Sequence, residues 1–309
     1  MATDRPLIAV ILLTMNQREK TLRCLASFQA VKAAAYQIVL WDNGSADGTV
    51  EAVRASYPDI MIHHASSNVG VASGRNGGAD IAISAFAPEY LLFIDNDMTV
   101  SADILPLLMA PFAEDSHIAM TTGKIAWLTD ECRDAPRHRM IYGAGGCRIK
   151  FWLGDTSHIG YGEVDRGQYD NAGPCIVSGG CMFVRTSVFQ ALGGFDSVFD
   201  PYGPEDLDFG LRARKQGYYG RYVPEALVFH EPRPGRSFED GHYTETYAAH
   251  RMRTWMLFMA RHASLVQKLG FVAVGGPYRL IRLIFREGGR GGLKAVKGLI
   301  SGAMNGSKR

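Results

Sequence analysis

Residues 7–13, LIAVILL, are apolar without interruption, the pattern of a strand buried on both faces. Asn16 follows as a helix N-cap, and Glu19, three residues on, completes the form of a capping box. The helix is predicted to run to about Val31 and to bury Leu22, Leu25 and Phe28. YQIVLW (36–41) predicts a second strand, DNGSADG (42–48) a turn, and the following residues a helix through Tyr57. IMIHH (60–64) predicts a short third strand. YLLFI (90–94) predicts a fourth, which stops at Asp95-Asn96-Asp97.

From about residue 141 the texture changes to glycine-rich, strand-like segments at 141–150 and 175–184. A helix from Pro204 to Gln216 is predicted next, closed by Gly217, and RYVPEALVFH (221–230) ends a further strand at His230. Strands alternating with helices imply an α/β protein with a mostly parallel central sheet, whose ligands bind beyond the carboxyl ends of the strands. Thr14-Met15-Asn16, Asp42-Asn43 and Asp95-Asn96-Asp97 all fall at such ends. No internal repeat is present, and the only low-complexity patch is GGRGG at 288–292.

Composition narrows the class. With 309 residues and 47% apolar content the chain can bury a large core. Its five cysteines, Cys24, Cys132, Cys147, Cys175 and Cys181, form no CxxC pair. They predict neither a disulfide framework nor a zinc site, and favour a reducing compartment. Leu7 to Leu13 is too short for a secretion signal, and no run reaches the roughly 18 apolar residues of a membrane span, so a cytoplasmic location is expected. The net charge of +2 conceals an asymmetry. Residues 250–309 carry 12 Lys and Arg against one acid, Glu287, leaving 21 bases and 30 acids on residues 1–249. An acidic body with a basic tail predicts a tail that meets an anionic surface. Nucleic acid is disfavoured as a partner, since the acidic body would repel its phosphates.

Asp95 and Asp97 stand one residue apart at a strand end, and two carboxylates on one face repel unless a cation or proton lies between them. Oxygen ligands with open positions suit Mg²⁺ or Mn²⁺ bridging a diphosphate. A lone Asp-x-Asp is also ordinary turn chemistry. There is no GxxxxGK[ST], and no GxGxxG after the first strand, so a P-loop ATPase and a Rossmann dehydrogenase are disfavoured.

Five ordered blocks give the pattern a name: ILLTMN (11–16), VLWDNGSADGT (39–49), NVGVASGRNGG (68–78), LLFIDND (91–97), and the long block 177–217 containing GGFDSVFDPYGPEDLDFGLRARKQG, followed by ALVFH (226–230). In these the chain resembles the family 2 glycosyltransferases of the GT-A fold, in particular the branch of bacterial rhamnosyltransferases. The likeness spans about residues 7–230.

The resemblance implies a GT-A-like (Rossmann-like) catalytic domain over residues 1–245, with a nucleotide-binding half (1–123) and an acceptor half (124–245). A helical basic extension would occupy 246–309. Thr14 and Asn16 would line the nucleoside pocket, Asp42 would accept a hydrogen bond from the base, and Asn68, Gly70, Arg75 and Asn76 would wall the base and ribose. Asp95 would lie near ribose and metal, with Asp97 a direct ligand and His230 beside the diphosphate or completing the metal shell. Gly179 and Gly180 would admit the donor sugar. Asp206 would be the general base of an inverting single displacement, with Glu205 orienting it or touching the acceptor. Asp208 and Arg212, four apart on one helix, are expected to form a salt bridge.

The donor implied is a UDP- or dTDP-sugar, and the acceptor a saccharide or lipid-linked saccharide. Two rivals are a sugar nucleotidyltransferase, which would need an Arg/Lys-bearing glycine loop after the first strand, and an inactive nucleotide-sugar-binding protein. In the tail, Arg279, Arg282 and Arg286 fall on one stripe of a helix over 276–287, and Leu293, Val296 and Ile300 repeat at helical spacing beyond GGRGG. Such basic amphipathic segments bind anionic membrane surfaces, which predicts a peripheral place at the inner face of the cell membrane through 276–309.

Overall fold

The computed structural model describes residues 8–32, 35–128, 139–177, 180–231, 245–287 and 289–306, with the side chains of 282–291 left aside. Strand β1 (Ile8–Thr14) is the axis of the main sheet. It pairs in parallel with β2 (Tyr36–Asp42) from Ile8↔Tyr36 to Thr14↔Asp42, and with β4 (Tyr90–Asp95) from Ile8↔Tyr90 to Leu13↔Asp95. β3 (Met61–His64) lies parallel outside β2. The chain therefore winds outward through β1, β2 and β3, then returns to the other side of β1, which makes the gap between β1 and β4 the topological switch point.

Beyond β4 the sheet becomes mixed. β10 (Cys181–Arg185) runs antiparallel between β4 and β6 (Ile118–Trp127), β11 (Tyr219–His230) is parallel to β6, and β5 (Met98–Val100) closes the edge antiparallel to β11. β7 (Ile141–Ala144) pairs with β6, and β8 (Cys147–Lys150) with β9 (Asp155–His158) in a separate ribbon.

Alternation along β1 explains the layers. Ile8, Val10 and Leu12 point into one core with Cys24, Leu25 and Phe28 of α1 (Arg18–Phe28), Val53 of α2 (Thr49–Ser56) and Ile104, Leu105 and Leu108 of α4 (Ile104–Met109). Ala9 and Ile11 point into the other, with alanines of α3 (Val71–Phe86), Phe189 of α5 (Thr186–Ala191) and Phe209 of α6 (Glu205–Lys215). α3 comes so close to the sheet that a Cβ on Gly74 would lie 2.6 Å from Leu13, and one on Gly77 would enter the Trp41 ring.

Several expectations change in detail. α1 begins at Arg18 with Gln17 at its N-cap and no capping side chain. Asn16 instead takes a left-handed φ of 51° and spends its polar groups across the edge: its N–H donates to Ser45 Oγ (2.8 Å) and its Oδ1 accepts from Ala46 N (2.8 Å). A partner in the neighbouring loop has outcompeted the local cap. α1 also stops at Phe28, where a turn from Phe28 O to Val31 N (3.0 Å) ends it. The predicted run 175–184 is a strand only from Cys181, with 178 and 179 outside the described residues. All four described cysteines are free.

By its contacts the chain divides into two units: a sheet unit of residues 1–147, 158–197 and 206–232, and a helical unit of 148–157, 198–205 and 233–309. The helical unit contains α7 (Glu245–His262), an unbroken run of α8 (Leu265–Gly270), a π turn (271–275) and α9 (Gly276–Glu287), and then α10 (Gly289–Gly306). α10 lies on α7 through Gly298, Gly302 and Gly306, spaced by four. A Cβ on Gly298 or Gly302 would strike the carbonyl of Glu245 or Ala249, and one on Gly306 would stand 2.7 Å from Met256 Cβ.

Gly302→Ala reports this contact by its sign. In an open helix the change gains about 1 kcal/mol, whereas against a backbone carbonyl overpacking costs about 1–3 kcal/mol. Thermal unfolding followed by circular dichroism should show a lower midpoint, and a raised one would contradict the packing.

Candidate active site

The strand directions bring the carboxyl ends of β1, β2, β4, β6 and β11 and the start of β10 to one edge. Thr14, Asp42, Asp95, Trp127 and His230 end their strands there, and Gly180 O accepts from Asp95 N at 3.1 Å. At the switch point Thr14 Oγ1 and Thr21 Oγ1 lie 2.7 Å apart, and Asn96 Nδ2 donates to both, at 3.0 and 3.1 Å. These buried hydroxyls and amide satisfy one another, which makes the floor rigid.

On the β2 side Asp42 is wholly buried. Its carboxylate takes the Ser45 N–H (2.9 Å) and hydroxyl, and lies 2.6 Å from His64 Nδ1. Asn43 ties two further motif residues into the loop, donating to Asn68 Oδ1 (3.0 Å) and Gly70 O (3.1 Å) while its own Oδ1 accepts from Trp41 Nε1 (3.2 Å). Gly70 has φ 97°, a conformation a side chain would strain. Arg75 is buried and donates to Asp95 Oδ1 at 2.7 Å, leaving Asp95 Oδ2 on the Gly180 side. Asn76 grips the backbone of Phe195 in both directions, at 2.7 and 2.9 Å.

Asp97 and His230, distant in sequence, meet. Glu231 N donates to Asp97 O (2.9 Å), and His230 Nε2 stands 3.7 Å from Asp97 Oδ1. His230 Nδ1 is 2.8 Å from Glu231 O. A carbonyl only accepts, so Nδ1 donates to it and Nε2 is the nitrogen turned toward the carboxylate. Lys20 Nζ of α1 lies 3.8 Å from the other carboxylate oxygen, Asp97 Oδ2.

The end of β11 is itself anchored. Arg23, one turn after Lys20, grips the Glu231 carboxylate with two nitrogens (Nη2–Oε2 2.8 Å) and holds its pKa below the ordinary value. Tyr142 stacks on His230 with centroids 4.4 Å apart, and Trp127 meets it edge-on at 5.4 Å. Burial, with the His230 charge adding, holds His158 below its usual pKa.

Asp206 stands in the first turn of α6, half-buried, with Oδ1 accepting its neighbour's amide, Leu207 N, at 2.7 Å. α6 precedes β11 and returns to its starting end, so the helix N-terminus lies toward the edge that carries His230. Glu205 is buried. Arg212 bonds Asp208 at 2.7 Å and also the carbonyls of Leu192 and Gly194, which makes the expected i,i+4 pair part of the scaffold. Gly179 lies outside the described residues.

The reading from sequence passed over Lys20, Arg23 and Glu231, and placed Asn43 and Asn96 at strand ends without giving either a role of its own. The only local signal was the i,i+3 spacing of Lys20 and Arg23 on the first helix.

The sheet order, the antiparallel β10 and the polar edge define the GT-A class. The fold superposes on GalNAc-T7, solved with UDP, GalNAc and Mn²⁺, with a TM-score of 0.66 at 15% identity, covering 87% of this chain and 50% of that one. It also superposes on the mannosyltransferase PcManGT of Pyrobaculum calidifontis, solved with GDP-Man and Mn²⁺, with a TM-score of 0.55 at 16% identity, covering 98% and 88%. The glycosyl transferase family 2 model matches residues 9–193, well over half the sequence, and the chain belongs to that family. Similar curated proteins include the N-acetylglucosaminyl-diphospho-decaprenol L-rhamnosyltransferase of Mycobacterium tuberculosis, 24% identical over 83% of this chain and 85% of its own length. Another is the succinoglycan biosynthesis protein ExoM of Rhizobium meliloti, 30% identical over 70% and 62%.

The residues fit a divalent cation in part. Among those described, no group of three or more His, Cys, Asp and Glu converges on one point. Asp97 and His230 offer one oxygen and one nitrogen. Ligands about 2.1 Å from a common ion stand about 3.0–3.4 Å apart, which a small shift from 3.7 Å would reach. Asp95 is engaged by Arg75, so further ligands would come from the diphosphate and water.

Lys20 would compete with such an ion for Asp97. Mn²⁺ titration of the nucleotide-free protein, read by electron paramagnetic resonance, should show Lys20→Met binding up to about fivefold tighter, as removal of a pair worth about 1 kcal/mol would give. Asp97→Asn should bind at least tenfold weaker. An unchanged affinity for Lys20→Met would remove Lys20 from the site.

Proposed function

We propose that this glycosyltransferase is inverting and assisted by Mn²⁺ or Mg²⁺. It moves a hexosyl or deoxyhexosyl group from a UDP- or dTDP-linked donor to a hydroxyl of a saccharide or lipid-linked saccharide. The observation that carries the reading is the meeting of Asp97 and His230 at the switch-point edge, 3.7 Å apart. An ion held there would offset the charge that develops on the leaving diphosphate. The imidazole nitrogen favours Mn²⁺ over Mg²⁺.

The chain's own residues divide the remaining work. The loop built on Asp42, Asn43 and Ser45, with Asn68 and Gly70 against it, shapes the nucleoside wall. Arg75 orients Asp95 so that one oxygen is left for the ribose side, and Gly180 leaves room for the sugar. Asp206 takes the proton of the acceptor hydroxyl as the acceptor oxygen bonds to the anomeric carbon. The bond from that carbon to the phosphate oxygen breaks, and its electron pair leaves with the diphosphate. Attack opposite the leaving group inverts the anomeric centre, and no covalent nucleophile is needed.

The solved relatives carry a nucleotide or nucleotide sugar with Mn²⁺, and the mycobacterial relative is named for rhamnosyl transfer to a lipid diphosphate. Both support a nucleotide-sugar donor and a lipid-linked acceptor, and the second would bring this chain to the inner face of the cell membrane.

Screening nucleotide sugars with Mn²⁺ and measuring released nucleoside diphosphate tests the reaction. With the preferred donor, Asp206→Asn should lower kcat about 10²–10⁴-fold while calorimetric donor affinity stays within about twofold. Turnover near wild type would remove Asp206 as the base.

A further inference from the structure

The helical unit exposes apolar surface where a freely dissolved protein would hide it. On the run 265–281, Leu265, Val266, Leu269 and Val272 follow the i, i+1, i+4, i+7 pattern of one helix face, with exposures of 71%, 63%, 62% and 69%. Val274, Tyr278 and Ile281, within and beyond the π turn, are exposed as well. The inward face is equally plain: Phe271 is buried, and Gly270 and Gly275 lie so close to Trp152 that a Cβ on either would collide with it. α10 repeats the arrangement. Gly298 and Gly302 face α7, and Leu293, Ile300 and Met304, on the opposite side, are open to solvent beside Lys294 and Lys297.

We infer that this surface, the outward faces of residues 265–281 and of α10, lies in the interface of an anionic lipid bilayer. Charge selects this occupant. Residues 265–306 carry seven Lys and Arg against one acid, so a second copy would present the same positive field and repel, whereas anionic headgroups neutralise it. Among the described residues no helix is long and apolar enough to cross a membrane. Lateral seating to the depth of the headgroup boundary is the form these helices suit.

Of the arginine stripe, the structure describes one member. Arg279 turns to Asp155 (3.9 Å) and is mostly covered, while Tyr278 and Ile281 face out; the side chains of Arg282 and Arg286 lie outside the described ones. The inference rests on the sugar-transfer reading only for the reason to be at a membrane; the surface belongs to the helical unit alone.

Flotation of the full chain with phosphatidylcholine vesicles, with and without 30% phosphatidylglycerol, tests it. Binding should be at least tenfold tighter with the anionic lipid and weaken with added salt. Leu269→Asp/Val272→Asp should lower it at least tenfold, with the far-ultraviolet circular dichroism unchanged and transfer to a soluble acceptor retained; Leu293→Ser/Ile300→Ser should lower it less. Absence of binding to anionic vesicles, or binding indifferent to both double variants, would overturn the inference. So would a wild-type dimer that Leu269→Asp/Val272→Asp makes monomeric, since a second copy would then cover the face. Loss of transfer activity with vesicle binding intact would instead count against the catalytic reading.

Discussion

The register of β1 between β2 and β4 sets the rest of the sheet unit. Because Thr14 pairs with Asp42 and Leu13 with Asp95, three strands end level, and the polar groups that follow them share one rim. A slip of one residue in a pleated strand would send Thr14 and Asp42 to opposite faces. The uninterrupted apolar runs prevent it, since each strand is held from both faces by separate cores. The hydrogen-bonded triad of Thr14, Thr21 and Asn96 then locks the first turn of α1 to the turn after β4. That lock carries Lys20 and Arg23 to the rim as well.

What the chain shows to a reader follows from how far apart the interacting residues lie. Strands buried on both faces are written locally, and the polar residues that end them are conspicuous. β6 was passed over because its centre, Thr-Thr-Gly-Lys, resembles a loop. Thr121 and Thr122 are buried by bonding carbonyls of Leu108 and Cys181, and Lys124 by two carboxylates, Asp165 and Asp170. Each partner is distant in sequence, so no local pattern announces it. Asn16 shows the converse, a correct local propensity overruled by a loop some thirty residues away. The nearness of His230 to Asp97 depends on β11 joining β6 and β5, a pairing that periodicity does not specify.

The two units use glycine for the same physical end. In α3 glycines bring a helix down onto Trp41 and Leu13, and in α10 they bring one backbone against another. Both lose the propensity that alanine would give and gain close contact in return. In α10 this has a second consequence. When the small side of a helix faces its neighbour, its bulky side chains Leu293, Ile300 and Met304 must point away. The exposed apolar face is thus the complement of the glycine face, and not a failure of packing.

Electrostatics at the rim can be reasoned through in the same way. Asp95 has Arg75, Glu231 has Arg23, and Asp42 has the Ser45 donors and His64, each held at hydrogen-bonding distance. Asp97 differs. The two cationic or titratable partners shown for it, Lys20 and His230, both stand beyond that distance, at 3.8 and 3.7 Å. At that range attraction is weakened while the desolvation cost of a nearly buried carboxylate remains. Lys20 and His230 thus act on Asp97 from opposite oxygens of one carboxylate, Oδ2 and Oδ1.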